Sequence, residues 1–242
     1  MFTPSISPLH LGKSGQLPNR SFAILSWNTH KQTLHHNFNA IIQTLHHQHP
    51  SDFLLLQEAK VAQHQDFSLT GYSYVTAPNI QIKHHIYGVL TATAQRFLHT
   101  RTHMTKARES WWATRKSALI TCHLLHDDKI LLLANIHAIN FTTTHWFQQE
   151  LDRLHEVLAG HHGPMIIAGD FNTWNWSRMK SLQRFCRLLS IRFADIADTR
   201  HATKFMNFQL DHILYRDLEL QEAYAIDTGS FSDHNPLYAR FA

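Results

Sequence analysis

An α/β sandwich of two packed sheets with helices on the outside is the fold class this sequence predicts, and three observations predict it. Short apolar runs rich in β-branched and aromatic residues recur along nearly the whole chain. Only three stretches carry helical periodicity. Those three are interspersed among the strands instead of alternating strictly with them, which disfavours a single doubly wound sheet.

Residues 21–27 and 52–57 read as buried strands. Between them, residues 33–48 place Leu34, Phe38, Ile41, Ile42 and Leu45 on one helical face, giving a β-α-β opening. Strands follow at 72–76, 87–93, 117–125 and 130–136, the last two joined by a hairpin turn at His126-Asp127-Asp128-Lys129. A second helix at 145–159 turns Phe147, Leu151, Leu154 and Leu158 inward, with Gly160 suited to its C-terminal cap. Residues 165–168 form a buried strand. A third helix at 177–190 has Met179, Leu182, Phe185, Cys186 and Leu189 inward and Arg178, Arg184 and Arg187 outward. The tail returns to strands at 210–215, 219–226 and 236–241. The stretches 78–85, 102–116 and 191–207 read as irregular loops that border a site.

At 242 residues and 43% hydrophobic content, the chain can bury a full core in one domain, residues 21–242, after a tail of residues 1–20. No stretch approaches the roughly 18 continuous apolar residues of a membrane helix, and the tail lacks a signal peptide's apolar core. A soluble, cytoplasmic chain is the resulting expectation. Cys122 and Cys186 sit in apolar segments without metal-type spacing and read as core residues. The net charge of +4 favours anionic partners. There are 22 histidines against 18 acidic residues, so the surface becomes much more basic in mild acid.

Polar strings, most of them directly after apolar runs, carry the chemistry. Ser26-Trp27-Asn28, Gln57-Glu58, Gly169-Asp170-Phe171-Asn172, Leu210-Asp211-His212 and Ser232-Asp233-His234 would converge at one sheet edge if strands deliver them. Phosphodiester hydrolysis needs a cation on the nonbridging oxygens, a group that activates water and a stabiliser for the leaving oxygen. Glu58 is the best single candidate for a Mg²⁺ ligand, with Asn28 sharing the ion or its hydration shell and Asp233 on the metal or phosphate side. Mn²⁺ suits the same donors. Asp170 and Asn172, two apart in an extended segment, would share a face, Asp170 positioning water and Asn172 donating to phosphate. His234 is expected as general base or electrostatic partner with Asp211 behind its ring, although Asp211 and Asp233 are interchangeable at this level. His137 is a phosphate ligand or leaving-group acid, assisted by Asn140. His212, alternating with Asp211, is expected to point away from the site.

The order Trp27-Asn28, Gln57-Glu58, Asn135-x-His137, Gly169-Asp170-Phe171-Asn172, Asp211-His212 and Ser232-Asp233-His234-Asn235-Pro236 resembles the endonuclease/exonuclease/phosphatase superfamily, over about residues 21–241. The resemblance implies a four-layer, DNase I-like α/β sandwich of two mostly antiparallel sheets. It also implies Mg²⁺-dependent phosphoester hydrolysis at one edge of those sheets. The roles given to Glu58, Asp170, Asn172 and the His234–Asp211 pair are those the superfamily carries. Asn135 to Phe141, Gly169 to Trp174 and Asp211 to Arg216 are most similar to the bacterial YafD-like branch, which implies no particular substrate. Phe208-Gln209-Leu210-Asp211-His212 replaces the Trp-Cys-Asp-Arg string of inositol polyphosphate 5-phosphatases and argues against that activity.

The substrate must be read from loops. Lys106, Arg108, Trp111, Trp112, Arg115 and Lys116 mix cations with aromatics, and Trp174 and Trp176 follow Asp170. Such a mixture suits phosphate contacts plus base stacking, and equally suits loop anchoring or a lipid interface. A Mg²⁺-dependent endonuclease acting on DNA or RNA is the leading expectation. The alternatives are a sphingomyelinase-type phospholipid phosphodiesterase or small-molecule phosphatase, and a non-catalytic binding module on the same fold.

Overall fold

The computed structural model describes residues 20–30, 36–62, 71–106 and 115–242. Strands β1 (Phe22–Asn28) and β2 (Phe53–Ala62) pair in parallel, joined through helix α1 (His36–Gln48), as the opening pattern predicts. Alternation along β1 sends Ala23, Leu25 and Trp27 into a cluster with Phe38, Ile42 and Leu45 of α1, and sends Phe22 and Ile24 to the opposite face. Strands β3 (Ser73–Ile82) and β4 (His85–Thr93) pair from Ser73↔Thr93 to Ile82↔His85. The stretch 78–85 is therefore strand and tight turn, not the irregular loop predicted. Pro78 obscured it, yet β3 is a sheet edge, where a proline removes no necessary ladder bond.

The chain continues through β5 (His99–Met104), β6 (Ser117–Leu124) and β7 (Ile130–His137), then helix α2 (Thr144–Leu158) and β8 (Met165–Asp170). Helix α3 (Trp176–Leu189), β9 (Arg192–Phe193), the small hairpin β10 (Lys204–Phe205) and β11 (Phe208–Gln209), and β12 (Asp211–Arg216) follow. Strands β13 (Leu220–Ala225) and β14 (Leu237–Phe241) then return to the first sheet. The resulting orders are β13-β14-β1-β2-β4-β3 and β5-β6-β7-β8-β12-β9. Each sheet contains one parallel pair, β1 with β2 and β7 with β8, and is otherwise antiparallel. Polar β5 and two-residue β9 lie at sheet edges, which explains why their segments lacked an apolar signal.

Phe22, Ile24, Phe53 and Leu55 of the first sheet meet Leu131, Leu133, Ile166, Ala168 and Ile213 of the second. Phe147, Leu151, Leu154, Leu182 and Phe185 cover the outer face of the second sheet, so the layers run α1, sheet, sheet, α2 with α3. Two helix details differ from expectation. The N–H of Ala159 bonds His155 O and closes α2 in right-handed geometry, so Gly160 is not a left-handed cap. Arg178, expected outward, is fully buried.

Candidate active site

Parallel pairing points the C-terminal ends of β1 and β2 the same way, and does the same for β7 and β8. Register then sets Asn28 beside Gln57, and His137, Asp170 and Asp211 in one row across β7, β8 and β12. Glu58 reaches this edge because β2 bulges: the register shifts between Leu56 and Ala59, and Glu58 takes φ 51°. Bulges re-aim side chains, and a left-handed glutamate is strain held by its surroundings. Beneath them, Gln57 Nε2 donates to Asn135 Oδ1 at 2.8 Å, and Asn135 Nδ2 donates to Leu90 O at 2.9 Å, a polar link between the two sheets.

His137 Nε2 lies 3.7 Å from Glu58 Oε1 and 3.7 Å from Asp170 Oδ2. Lys116 Nζ stands 3.0 Å from the same nitrogen and 3.8 Å from Glu58 Oε1. An ammonium only donates, so His137 Nε2 is the acceptor in this contact. Asp170 Oδ1 accepts from Asn172 N at 2.9 Å, and Oδ2 accepts from Asn28 Nδ2 at 3.0 Å. Burial and the nearby Asp211 charge push the Asp170 carboxyl up to about 7. His234 Nδ1 and Asp211 Oδ2 are 2.8 Å apart. Burial works against the His234 imidazolium, but the neighbouring carboxylates, led by Asp211 through charge and hydrogen bond and joined by Asp170 and Asp233, outweigh it and raise the group to about 10. Trp27 Nε1 donates to His234 O at 2.7 Å, and Ser232 Oγ donates to Asn28 O at 2.8 Å, which ties the His234 loop to β1.

One ligand atom each from Asp170, Asp211 and His234 lies within 4.8 Å of the other two. With Glu58 across His137, this carboxylate-rich set is the donor chemistry that a hard divalent cation takes, so the residues fit a metal. Asn28 presents its amide N–H group to Asp170, while its oxygen accepts from His30 N at 3.0 Å. Asp233 stands apart on the rim, 58% exposed, 3.0 Å from His30 Nδ1.

Other expected residues divide. Asn172 is left-handed, with φ 52°, so the extended geometry predicted for Asp170 and Asn172 does not hold. Asn172 Nδ2 instead donates to Ala138 O at 3.1 Å and braces the loop after β7. Trp174 Nε1 donates to Asn140 Oδ1 at 3.0 Å, and its ring lies under the Arg178 guanidinium. His212 points away, as expected, packing on Phe171 and Phe193, with burial lowering it to about 4. Arg115 is exposed. Arg108, Trp111 and Trp112 lie outside the described residues.

Two residues stand elsewhere than the sequence suggested. Lys116 reads as one more loop cation, but it is buried and turned into the site. Its signal was its place directly before an apolar strand. Arg178 fitted a solvated helix face, and no periodicity could reveal that it folds under the loop after His137.

The geometry places the chain in a class, and comparison agrees. The Endonuclease/Exonuclease/phosphatase family matches residues 25–234, and the chain belongs to that family. More particularly, it is 34% identical over 194 residues to the UPF0294 protein YE0917 of Yersinia enterocolitica, covering 79% of this chain and 73% of that protein. Among solved structures, the human Nocturnin catalytic domain with bound sulfate anion matches with TM-score 0.68 and 18% identity over 97% of each chain. The D. rerio TDP2 complexed with single strand DNA product matches with TM-score 0.64 and 14% identity, covering 93% of this chain and 100% of that one. Those two likenesses establish the fold. Family and site together place the chain among phosphoester hydrolases.

Proposed function

We propose that this chain is a divalent-metal-dependent nuclease that cuts DNA or RNA internally, with water as the nucleophile. The observation that carries the reading is the convergence of Asp170, Asp211 and His234 beside His137, Glu58 and Lys116 at one edge. Mg²⁺ or Mn²⁺ would be held by Glu58, and when bound would supply positive charge to the nonbridging oxygens.

The chain's own groups divide the remaining work. Asp170, at about 7, is matched to accept a proton from the attacking water near neutral pH. His234, held as imidazolium by Asp211, faces the developing phosphoryl charge as an electrostatic partner and not as the base. Lys116, held against His137 Nε2 and Glu58, would supply the cation that stabilises a phosphoryl oxygen, with His137 orienting it. Nucleic acid is favoured by the net charge of +4 and by the single strand DNA product held in the similarly folded TDP2.

The test compares supercoiled plasmid, single-stranded oligonucleotide and sphingomyelin vesicles, each with Mg²⁺ or EDTA. Nicking that disappears with EDTA and in the Glu58→Ala/His234→Ala double variant is the expected result. Lipid cleavage alone, or nicking that survives in the double variant, overturns it.

A further inference from the structure

Phe141 is 80% exposed, four residues past His137 in the loop that follows β7, with φ 23°. A bulky residue in left-handed territory is costly and persists only where the surroundings over-determine it. Here they do. The N–H of Phe141 donates to Asn140 Oδ1 at 2.9 Å, and the same oxygen accepts from Trp174 Nε1 at 3.0 Å. Arg178 Nη1 donates to Ile139 O at 2.8 Å and to Asn172 O at 3.0 Å, while Nη2 donates to Thr142 O at 3.1 Å. Its guanidinium is sandwiched between Phe147 and Trp174, 4.6 and 5.0 Å from their ring centres. A buried cation thus fixes the backbone on both sides of Phe141 and locks that loop to the one carrying Asp170 and Asn172.

An exposed phenyl ring ordinarily has no such support. We propose that Phe141 is a stacking platform for an unpaired nucleobase next to the scissile phosphate, and that Arg178 is the residue that positions it. This rests on the nuclease reading above. The loop Ala138-Ile139-Asn140-Phe141-Thr142 offers an aromatic face and no cation, which suits a neutral base better than a charged lipid surface. His137 ends the strand that leads into this loop, so the ring and a candidate site residue lie on one short segment.

Two measurements test it. The first is quenching of 2-aminopurine in a single-stranded oligonucleotide, titrated with wild type, Phe141→Ala, Phe141→Trp and Arg178→Lys in EDTA. Wild type and Phe141→Trp quench the probe, Phe141→Ala does not, and Arg178→Lys is intermediate with weaker binding. The second is cleavage of matched oligonucleotides with ordinary or abasic nucleotides flanking the cut. Wild type favours the ordinary substrate in KM by about 5- to 150-fold, the range for one base–aromatic stack, and Phe141→Ala loses this preference. If wild type cuts neither oligonucleotide, the nuclease reading fails and takes the proposal with it. If wild type cuts both and Phe141→Ala keeps the quenching and the preference, the stacking role alone is overturned. Phe141-dependent sedimentation with phosphatidylcholine/phosphatidylglycerol vesicles, without a base effect, overturns it in favour of a lipid contact.

Discussion

Replacing Asp211 with asparagine isolates the charge that keeps His234 protonated. The substitution retains a side-chain oxygen to accept from Nδ1, 2.8 Å away, and removes only the charge. In the metal-free protein His234 sits at about 10 against an ordinary 6.5, a gap worth roughly 5 kcal/mol as an upper bound. Burial opposes that gap, so the attraction to the surrounding carboxylates exceeds it. Asp170 and Asp233 supply the smaller shares. With Asp211 neutral, His234 is expected to titrate below about 7.5, a loss of at least two units. Long-range ¹H–¹⁵N spectra of the imidazole, recorded from pH 5 to 10 in EDTA, read this directly. The stability consequence has a definite sign. A histidine raised in the fold contributes fully below 6.5, and its contribution is lost as pH rises through about 10. The wild-type advantage over Asp211→Asn should therefore shrink between pH 8 and 10 in urea unfolding. A variant His234 still titrating above 9, or a stability gap flat across that window, refutes the reasoning.

Asp170→Asn should abolish nicking yet stabilise the metal-free protein at pH 8. A carboxyl raised from 3.8 to about 7 costs stability as pH climbs through that interval, by up to about 4 kcal/mol, and the gain should vanish near pH 4 in urea titrations. Lys116→Met should lower kcat by about 10²- to 10³-fold, with partial recovery in Lys116→Arg, because a cation beside His137 and Glu58 is lost. Asn135→Ala should cost about 1–3 kcal/mol in unfolding free energy, because the buried bonds that Asn135 makes to Gln57, Leu56 O and Leu90 O are lost. Gly169→Ala should lower Tm severely, since its Cβ would stand 1.9 Å from Ile136 O at φ 142°.

The strands were legible where both faces are buried, because such segments are nearly continuous apolar runs: β1, β2, β7, β8 and β12 all fell within two residues of expectation at their starts. Edge elements divided: β13 and the start of β3 were expected as strands, but β5, β9 and β10 were not. β5 and β10 are polar or exposed and paired through backbone groups that every residue carries. The same division runs through the site. His137 and Asp170 could be selected because they end apolar strands, whereas Asp211, which opens β12, and His234, which precedes β14, were selected from the order of the strings. Asn172 could not be aimed correctly, because a left-handed turn cancels the alternation on which the reading relied.

By itself the sequence determined the layered fold, the chain order of the candidate site strings and the family, all of which depend on local pattern and residue type. Only the tertiary structure decided which carboxylate pairs with His234, that Asp233 sits on the rim, and that Lys116 and Arg178 turn inward. Those outcomes depend on strand register, a β-bulge and the burial of charge between distant segments. Separation along the chain does not encode them.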